Sequence, residues 1–321
     1  MRNPLLRLLT AATLAICATS LHAQGAATRI VVPFAPGGAQ DVIGRYLAER
    51  LATRTGSTVI VENKAGAGGV IAADAVAKAP ADGRTLLLAT GGAITIAPHL
   101  NPKLGYDPRK DFVPVALVAD TPMTLATRAQ SPYTNVADVL KDARDNPGRV
   151  SYASTGNGTI SHLTGELLAQ SAGVQLLHVP YRGAGPAITD LLGGQVALMV
   201  TSAASIEPMV LDKKARVLAS FTRERIGALQ GAPTMTEAAG LKGLEAPAWV
   251  GLLAPSGTPQ ASVDKLAADL VAICRQPETQ ERFKALGAAT TCGGPADLAR
   301  VIAEDDGRWE RVIQQGKIKL N

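Results

Sequence analysis

Two hydrophobic periods alternate along the chain. Apolar, β-branched runs at 29–33, 58–62 and 85–89 predict strands. Between the first two, Val42, Ile43, Tyr46, Leu47 and Leu51 share one face of a helix predicted over 41–54, and a second helix over 69–78 ends at Pro80. The pattern then restarts. A helix over 135–145 is closed by Asn146-Pro147-Gly148, a strand follows at 150–153, and a helix over 161–171 ends at Gly173. A strand at 177–180, a helix over 186–192 stopped by Gly193-Gly194, and strands at 196–200 and 217–222 complete this second unit. The tail reads as an extended stretch at 248–254, helices over 260–275 and 277–286, and a last helix from Pro295 onward. Short apolar strands alternating with helices predict the α/β class, with mostly parallel sheets covered on both faces.

Two units imply two lobes. The chain is expected to pass to the second near 125–128 and to return near 233–253, so that 24–127 plus 237–321 form lobe 1 and 128–236 lobe 2. Two crossings make a hinge, and ligands of open α/β sheets bind at the carboxyl ends of the strands.

The first residues change where this fold is expected to work. Arg2 and Arg7 give a positive start, 5–19 is mostly apolar, and Ser20-Leu21-His22-Ala23 ends in a small residue. That pattern predicts a signal peptide over 1–23, cut after Ala23, and export to a periplasm; Cys17 is filler within it. Cys274 and Cys292 then remain as a disulfide candidate in an oxidising compartment, two unpaired core thiols being the alternative. The formal charge of +5 becomes +3 without Arg2 and Arg7, and aromatics are 3% of the chain. This is no nucleic-acid footprint.

Candidate chemistry sits in three glycine-rich loops before helices. The first is Phe34-Ala35-Pro36-Gly37-Gly38-Ala39-Gln40-Asp41. Glycine permits close backbone approach, and a helix start offers unpaired N–H groups to an anion. Asp41 in the first turn would oppose a nearby anion, so it is expected to cap and shape the loop. Taken alone, the stretch also reads as an ordinary βα turn. The second loop, Ser154-Thr155-Gly156-Asn157-Gly158-Thr159-Ile160-Ser161-His162, adds hydroxyls able to donate to an anion or to cap the helix. In the third, Tyr181-Arg182-Gly183-Ala184-Gly185-Pro186, Arg182 offers a bidentate partner for a carboxylate, or is simply a surface arginine.

Enzyme readings fare worse. Lys64-Ala65-Gly66-Ala67-Gly68-Gly69-Val70-Ile71 follows a strand, but Ile71 stands where a dinucleotide fingerprint needs Gly or Ala. Tyr152 stands where a hydrolase elbow needs Gly. His99, His162 and His178 have no metal-ligand spacing, so neither metal nor cofactor is expected. His162 is expected near the cleft, with Glu166 four residues on as a weak acid–base pair, and His178 in a core strand.

Long segments carry a resemblance. PFAPGGAQD (33–41), VENKAGAGGVIAADAVAKAPADGRTLL (61–87), YDPRKDFVPVALV (106–118), YASTGNGTISHLTGELL (152–168), VPYRGAGPAITDLLGGQVALM (179–199) and WVGLLAPSGTP (249–259) resemble the Bug-type extracytoplasmic solute receptors of tripartite tricarboxylate transporters. The resemblance implies a periplasmic binding protein type II-like fold, two doubly wound lobes joined by a two-crossing hinge, closing on a small organic acid. It implies that main-chain N–H groups of Gly37, Gly38, Ala39, Gln40 and Asp41, and of Thr155, Gly156, Asn157, Gly158, Thr159 and Ser161, hold a carboxylate. Phe34, Thr90, Gly91, Ser154, His162, Tyr181, Arg182, Gly183, Ala203 and Ser205 complete the expected site. Many members carry Thr where Gln40 stands, so an altered ligand preference is expected. The implied partners are the acid and the membrane permease subunits, with the receptor a monomer and no nucleic acid involved. A receptor of the same fold docking on a membrane sensor kinase is the alternative, and a nucleotide-dependent enzyme the remote one.

Overall fold

A computed structural model describes residues 27–226, 229, 231–316, 318 and 319; the expected signal peptide lies outside them. The strands are β1 (Thr28–Val32), β2 (Val59–Asn63), β3 (Thr85–Ala89), β4 (Phe112–Asp120), β5 (Met123–Arg128), β6 (Ser151–Ser154), β7 (Leu177–Pro180), β8 (Leu198–Ser202), β9 (Ala215–Ser220), β10 (Trp249–Pro255) and β11 (Ala289–Gly293). The helices are α1 (Ala39–Thr55), α2 (Val70–Ala77), α3 (Ala97–Leu100), α4 (Val136–Asp145), α5 (Ile160–Ala172), α6 (Ala184–Gly193), α7 (Ala203–Leu211), α8 (Met235–Ala239), α9 (Gln260–Cys274), α10 (Pro277–Ala285) and α11 (Pro295–Gly316). One sheet runs β11-β4-β10-β3-β1-β2 and the other β7-β6-β8-β5-β9.

Local sequence explains the individual elements. β3 lies between β1 and β10, so its Thr-Leu-Leu-Leu-Ala run is buried throughout. α1 turns Ile43, Leu47 and Leu51 onto the first sheet's core, each worth about 1.5–3 kcal/mol of buried surface. It stops at Gly56, whose φ of 68° suits the residue without a Cβ. Asn135 and Asp138 form a reciprocal capping box at the start of α4.

The sheets are mixed rather than mostly parallel. β1 is parallel to β2 and β3, but β10 runs antiparallel to β3 and β4, and β11 antiparallel to β4. In the second sheet β6 is parallel to β7 and β8, while β5 is antiparallel to β8 and β9. The reason is the crossing itself. β4 leaves the first sheet and β5 enters the second after only Thr121 and Pro122, without a crossover helix to reverse direction.

Those pairings also move the expected boundaries. β5 belongs wholly to the second sheet, so the outward crossing precedes Met123 and does not follow residue 127. α8 packs on α4 and β9, which puts the return at Ala248 rather than at 237. The two crossings bind each other: Thr121 donates N–H to Ala248 O at 2.9 Å, and Ala248 donates N–H to Asp120 Oδ1 at 2.9 Å. Nor does the tail belong to one unit. α11 places Leu298 in a core of the first sheet, then Trp309 and Ile313 in the core of the second. A disulfide joins Cys274 at the end of α9 to Cys292 in edge strand β11, with Cα atoms 5.3 Å apart.

Candidate functional site

The first loop is held from behind. β1 ends at Val32, and Gly37 adopts φ +90°, a conformation open to glycine without strain. The Asp41 carboxylate accepts from Gly37 N–H (3.0 Å), Asn63 Nδ2 (2.8 Å) and Arg45 Nε (3.0 Å), and Asn63 also donates to Phe34 O (3.0 Å). Burial pushes the Asp41 pKa up, but the bonds from Arg45, Gly37 and Asn63 together hold it below the usual carboxylate value. With 3% of its surface exposed, Asp41 shapes the loop, and its charge is already answered. Gly38 caps α1 without any side-chain bond, so the first N–H groups of that helix have no intrahelical acceptor.

The second loop uses its hydroxyls on itself. Thr159 Oγ1 donates to Gly156 O at 2.7 Å and accepts from His162 N–H, capping α5. Ser161 Oγ donates to Val200 O and accepts from Thr155 N–H. Ser154 Oγ pairs with His178 Nε2 at 2.6 Å, and Gly158 N–H reaches His162 Nδ1 at 3.2 Å. The expectation that these hydroxyls donate to an anion is therefore corrected for Ser154, Thr159 and Ser161. They fix the loop, and the expectation is corrected for its main chain too: the N–H groups of Thr155, Gly156, Gly158 and Thr159 are bonded within the loop, which leaves the first N–H groups of α5, from Ile160 on, for a ligand.

Between the sheets lies a cavity of about 80 Å³, room for several water molecules. Of the expected residues Phe34, Gly38, Gln40, Thr90, Thr155, Thr159, Ser161, Gly183 and Ser205 line it. Gly156, Asn157, Tyr181 and Arg182 instead line an adjoining groove of about 210 Å³ beside residues 65–69. Arg182 thus stands outside the cavity, on the far side of its own loop, and Tyr181 is tied to Asp190 at 2.7 Å. Ala39, Asp41, Gly91, Ser154, Gly158, His162 and Ala203 are buried outside the lining, and Gly37 is exposed on the surface of its loop. Gly91 is packed where a Cβ would come within 2.9 Å of Asp305 and Ile160, and Ala203 gives its N–H to Pro122 O at 2.7 Å.

His162 faces away from the cleft. Its ring stacks on His178 with centroids 3.9 Å apart, and His178 stacks on Tyr152 at 5.0 Å. Burial lowers the His162 pKa to about 4; burial, and then His162 itself, lowers that of His178 to about 3. Glu166 is occupied by Tyr152 OH at 2.7 Å, so the pair with His162 has a structural role behind the loop.

Sequence reasoning missed Met123 and Ala248 at the crossings, and Thr201 and Ser202 at the end of β8. A usable signal was present for the latter: Thr201-Ser202-Ala203-Ala204-Ser205 follows an apolar strand and precedes a helix, as the three glycine loops do. The cavity therefore receives four helix starts, those of α1, α5, α6 and α7, and no charged side chain lines it among the described residues. The positive ends of helix dipoles, with N–H groups exposed, make such a space selective for an anion.

Known proteins share this architecture. The chain is 41% identical over 291 residues, 91% of its length and 86% of the relative's, to the UPF0065 protein in the tcbD-tcbE intergenic region of Pseudomonas sp. (strain P51). The solved periplasmic binding protein BugD is 38% identical at a TM-score of 0.86, covering 91% of this chain and 98% of its own. MatC from Rhodopseudomonas palustris with bound malate is 35% identical at a TM-score of 0.85, covering 90% and 99%. Residues 43–318 match the tripartite tricarboxylate transporter family receptor, and the chain belongs to that family of periplasmic solute-binding proteins.

Proposed function

We propose that this protein captures a small organic acid, a carboxylate or dicarboxylate, in the cavity between its sheets and delivers it to the permease subunits of a tripartite transporter in the membrane. One observation carries the reading: four helix starts converge on a cavity with no charged side chain in its lining. The ligand's carboxylate is met by the first main-chain N–H groups of α1 and α5, with Gln40 and Thr155 beside it. Hydrogen bonds to a charged group are worth about 1.5–3 kcal/mol each, so four or five reach the roughly 8 kcal/mol of micromolar binding after ordering costs. That a similar protein holds malate supports the same chemistry here. A thermal-shift panel of mono-, di- and tricarboxylates and size-matched amines tests it. Acids are expected to raise the melting temperature by mass action and amines to leave it unchanged; a panel with no stabilising acid refutes the reading.

Capture is proposed to proceed by closure. The two units meet backbone to backbone at the mouth, where a Cβ on Gly68 would sit 2.7 Å from Asn157 O and one on Gly92 3.4 Å from Gly158 O. Such contacts belong to the closed form, and a ligand that bridges the sheets shifts the equilibrium towards it by its differential affinity for that form. Small-angle scattering is expected to show a smaller radius of gyration with a stabilising acid than without. Identical curves at saturating acid mean a rigid receptor.

A further inference from the structure

We infer that Asp305 is a proton-binding site coupled to the cavity, so that the organic anion is captured together with a proton; this rests on the acid-binding reading above. Asp305 lies on α11 between Leu298, in a core of the first sheet, and Trp309, in the core of the second. It is 3% exposed and stands close behind the cavity wall. Thr90 and Ile160 line the cavity, and a Cβ on Gly91 would come 2.9 Å from both Ile160 Cδ1 and Asp305 Oδ2. Like charges on the two sides of so thin and poorly polarisable a layer repel. Asp305 forms no ion pair among the described residues, and the titratable groups of the elements packed around it are otherwise engaged. Arg308 donates to Glu245 O at 2.8 Å, Asp120 of β4 accepts from Ala248 N–H at 2.9 Å, and Glu304 pairs with Arg300 at 3.3 Å. His99 of α3 pairs with Asp306 at 2.8 Å, while on α5 Glu166 holds Tyr152 OH and His162 accepts from Gly158 N–H.

The hydrogen bonds count the proton. Thr95, in the helical turn Gly92–Ile96, places Oγ1 2.6 Å from Asp305 Oδ2 and 2.9 Å from Gly91 O, but it has one proton to give. With Asp305 charged, that proton goes to the carboxylate, and Oδ1 is left with no donor among the described residues. With Asp305 neutral, Oδ2–H donates to Thr95 and Thr95 donates to Gly91 O, while Trp249 Nε1–H still donates to Oδ2 at 2.9 Å. The chain behind the wall is complete only in the protonated form, and burial pushes the Asp305 pKa up in the same sense. A groove of about 190 Å³, lined also by Asp120, Glu304 and Arg308, borders Asp305 and brings the proton from solvent.

Calorimetric titration with malate, then with each further acid of the thermal-shift panel, tests the coupling. It is run between about pH 6.5 and 9, above the ordinary histidine range, in two buffers of different ionisation enthalpy at each pH. The wild type is expected to take up as much as one proton per acid, and its affinity to fall with rising pH by up to about tenfold per unit. Asp305→Asn keeps the shape without the charge and is expected to bind with no uptake and no pH dependence, whereas Asp120→Asn is expected to retain both. Trp249→Phe removes a donor that favours the charged form and is expected to move the fall to higher pH. Thermal melts check the fold of each variant, and Trp249→Phe decides should Asp305→Asn fail to fold. A wild type that binds without proton uptake at every pH, or uptake unchanged in Asp305→Asn, overturns the proton site and leaves the acid-binding reading standing. Failure of every acid to bind overturns both.

Discussion

Gly38→Val is expected to fold as the wild type does and to bind no acid. The argument is steric on both counts. Gly38 has φ −79° and ψ 167°, an extended conformation that valine adopts readily, and a Cβ built there meets no atom within 4 Å. The open space it would enter borders the cavity, since Gly38 is one of the lining residues and the cap of α1. An isopropyl group there stands between a carboxylate and the first N–H groups of that helix. Losing two such bonds at about 1.5–3 kcal/mol each weakens binding at least a hundredfold. Calorimetric titration with the acid that most stabilises the wild type measures the loss, and matched thermal melts show that the fold survives. Wild-type affinity in the variant would remove the first loop from the site.

The second large effect is expected on acidification. His162 and His178 are held at about 4 and about 3 against an ordinary value near 6.5, so between these limits the unfolded chain binds two protons that the native rings refuse. Stability from the stack is therefore complete above roughly pH 6.5 and falls as pH drops towards 4 and 3, by several kcal/mol in all. Asp120 and Asp305 act in the opposite sense: burial raises both, so their contribution is present at low pH and declines as pH rises. Imidazole NMR separates the two trends, and both rings are expected to stay neutral at pH 5.5. Titration near 6.5 would mean that the stack is open to water. Binding should weaken along with the fold, because His162 Nδ1 accepts the Gly158 N–H and a protonated ring no longer can.

The fit between sequence and structure varies by kind of residue. Thr85–Ala89 and Leu177–Pro180 were legible to the residue, because a short apolar run bounded by turn formers specifies a strand locally. β4 was not read as a strand, since Pro114 interrupts its pattern; the strand tolerates it beside a register shift against β10. The loops at the cavity were legible through glycine and through long family-like segments. The division of labour inside them was not.

By itself the sequence determined the α/β class, the glycine loops before helices and the family, because backbone preference and hydrophobic period act over a few neighbouring residues. Only the tertiary structure decided which groups face the cavity. Asp41 is silenced by Asn63, 22 positions away, and Ser161 is consumed by Val200, 39 away. Arg182 is turned out into a separate groove. Each outcome depends on a partner brought close by strand pairing, and a polar group's availability is set by what the fold has already bonded to it.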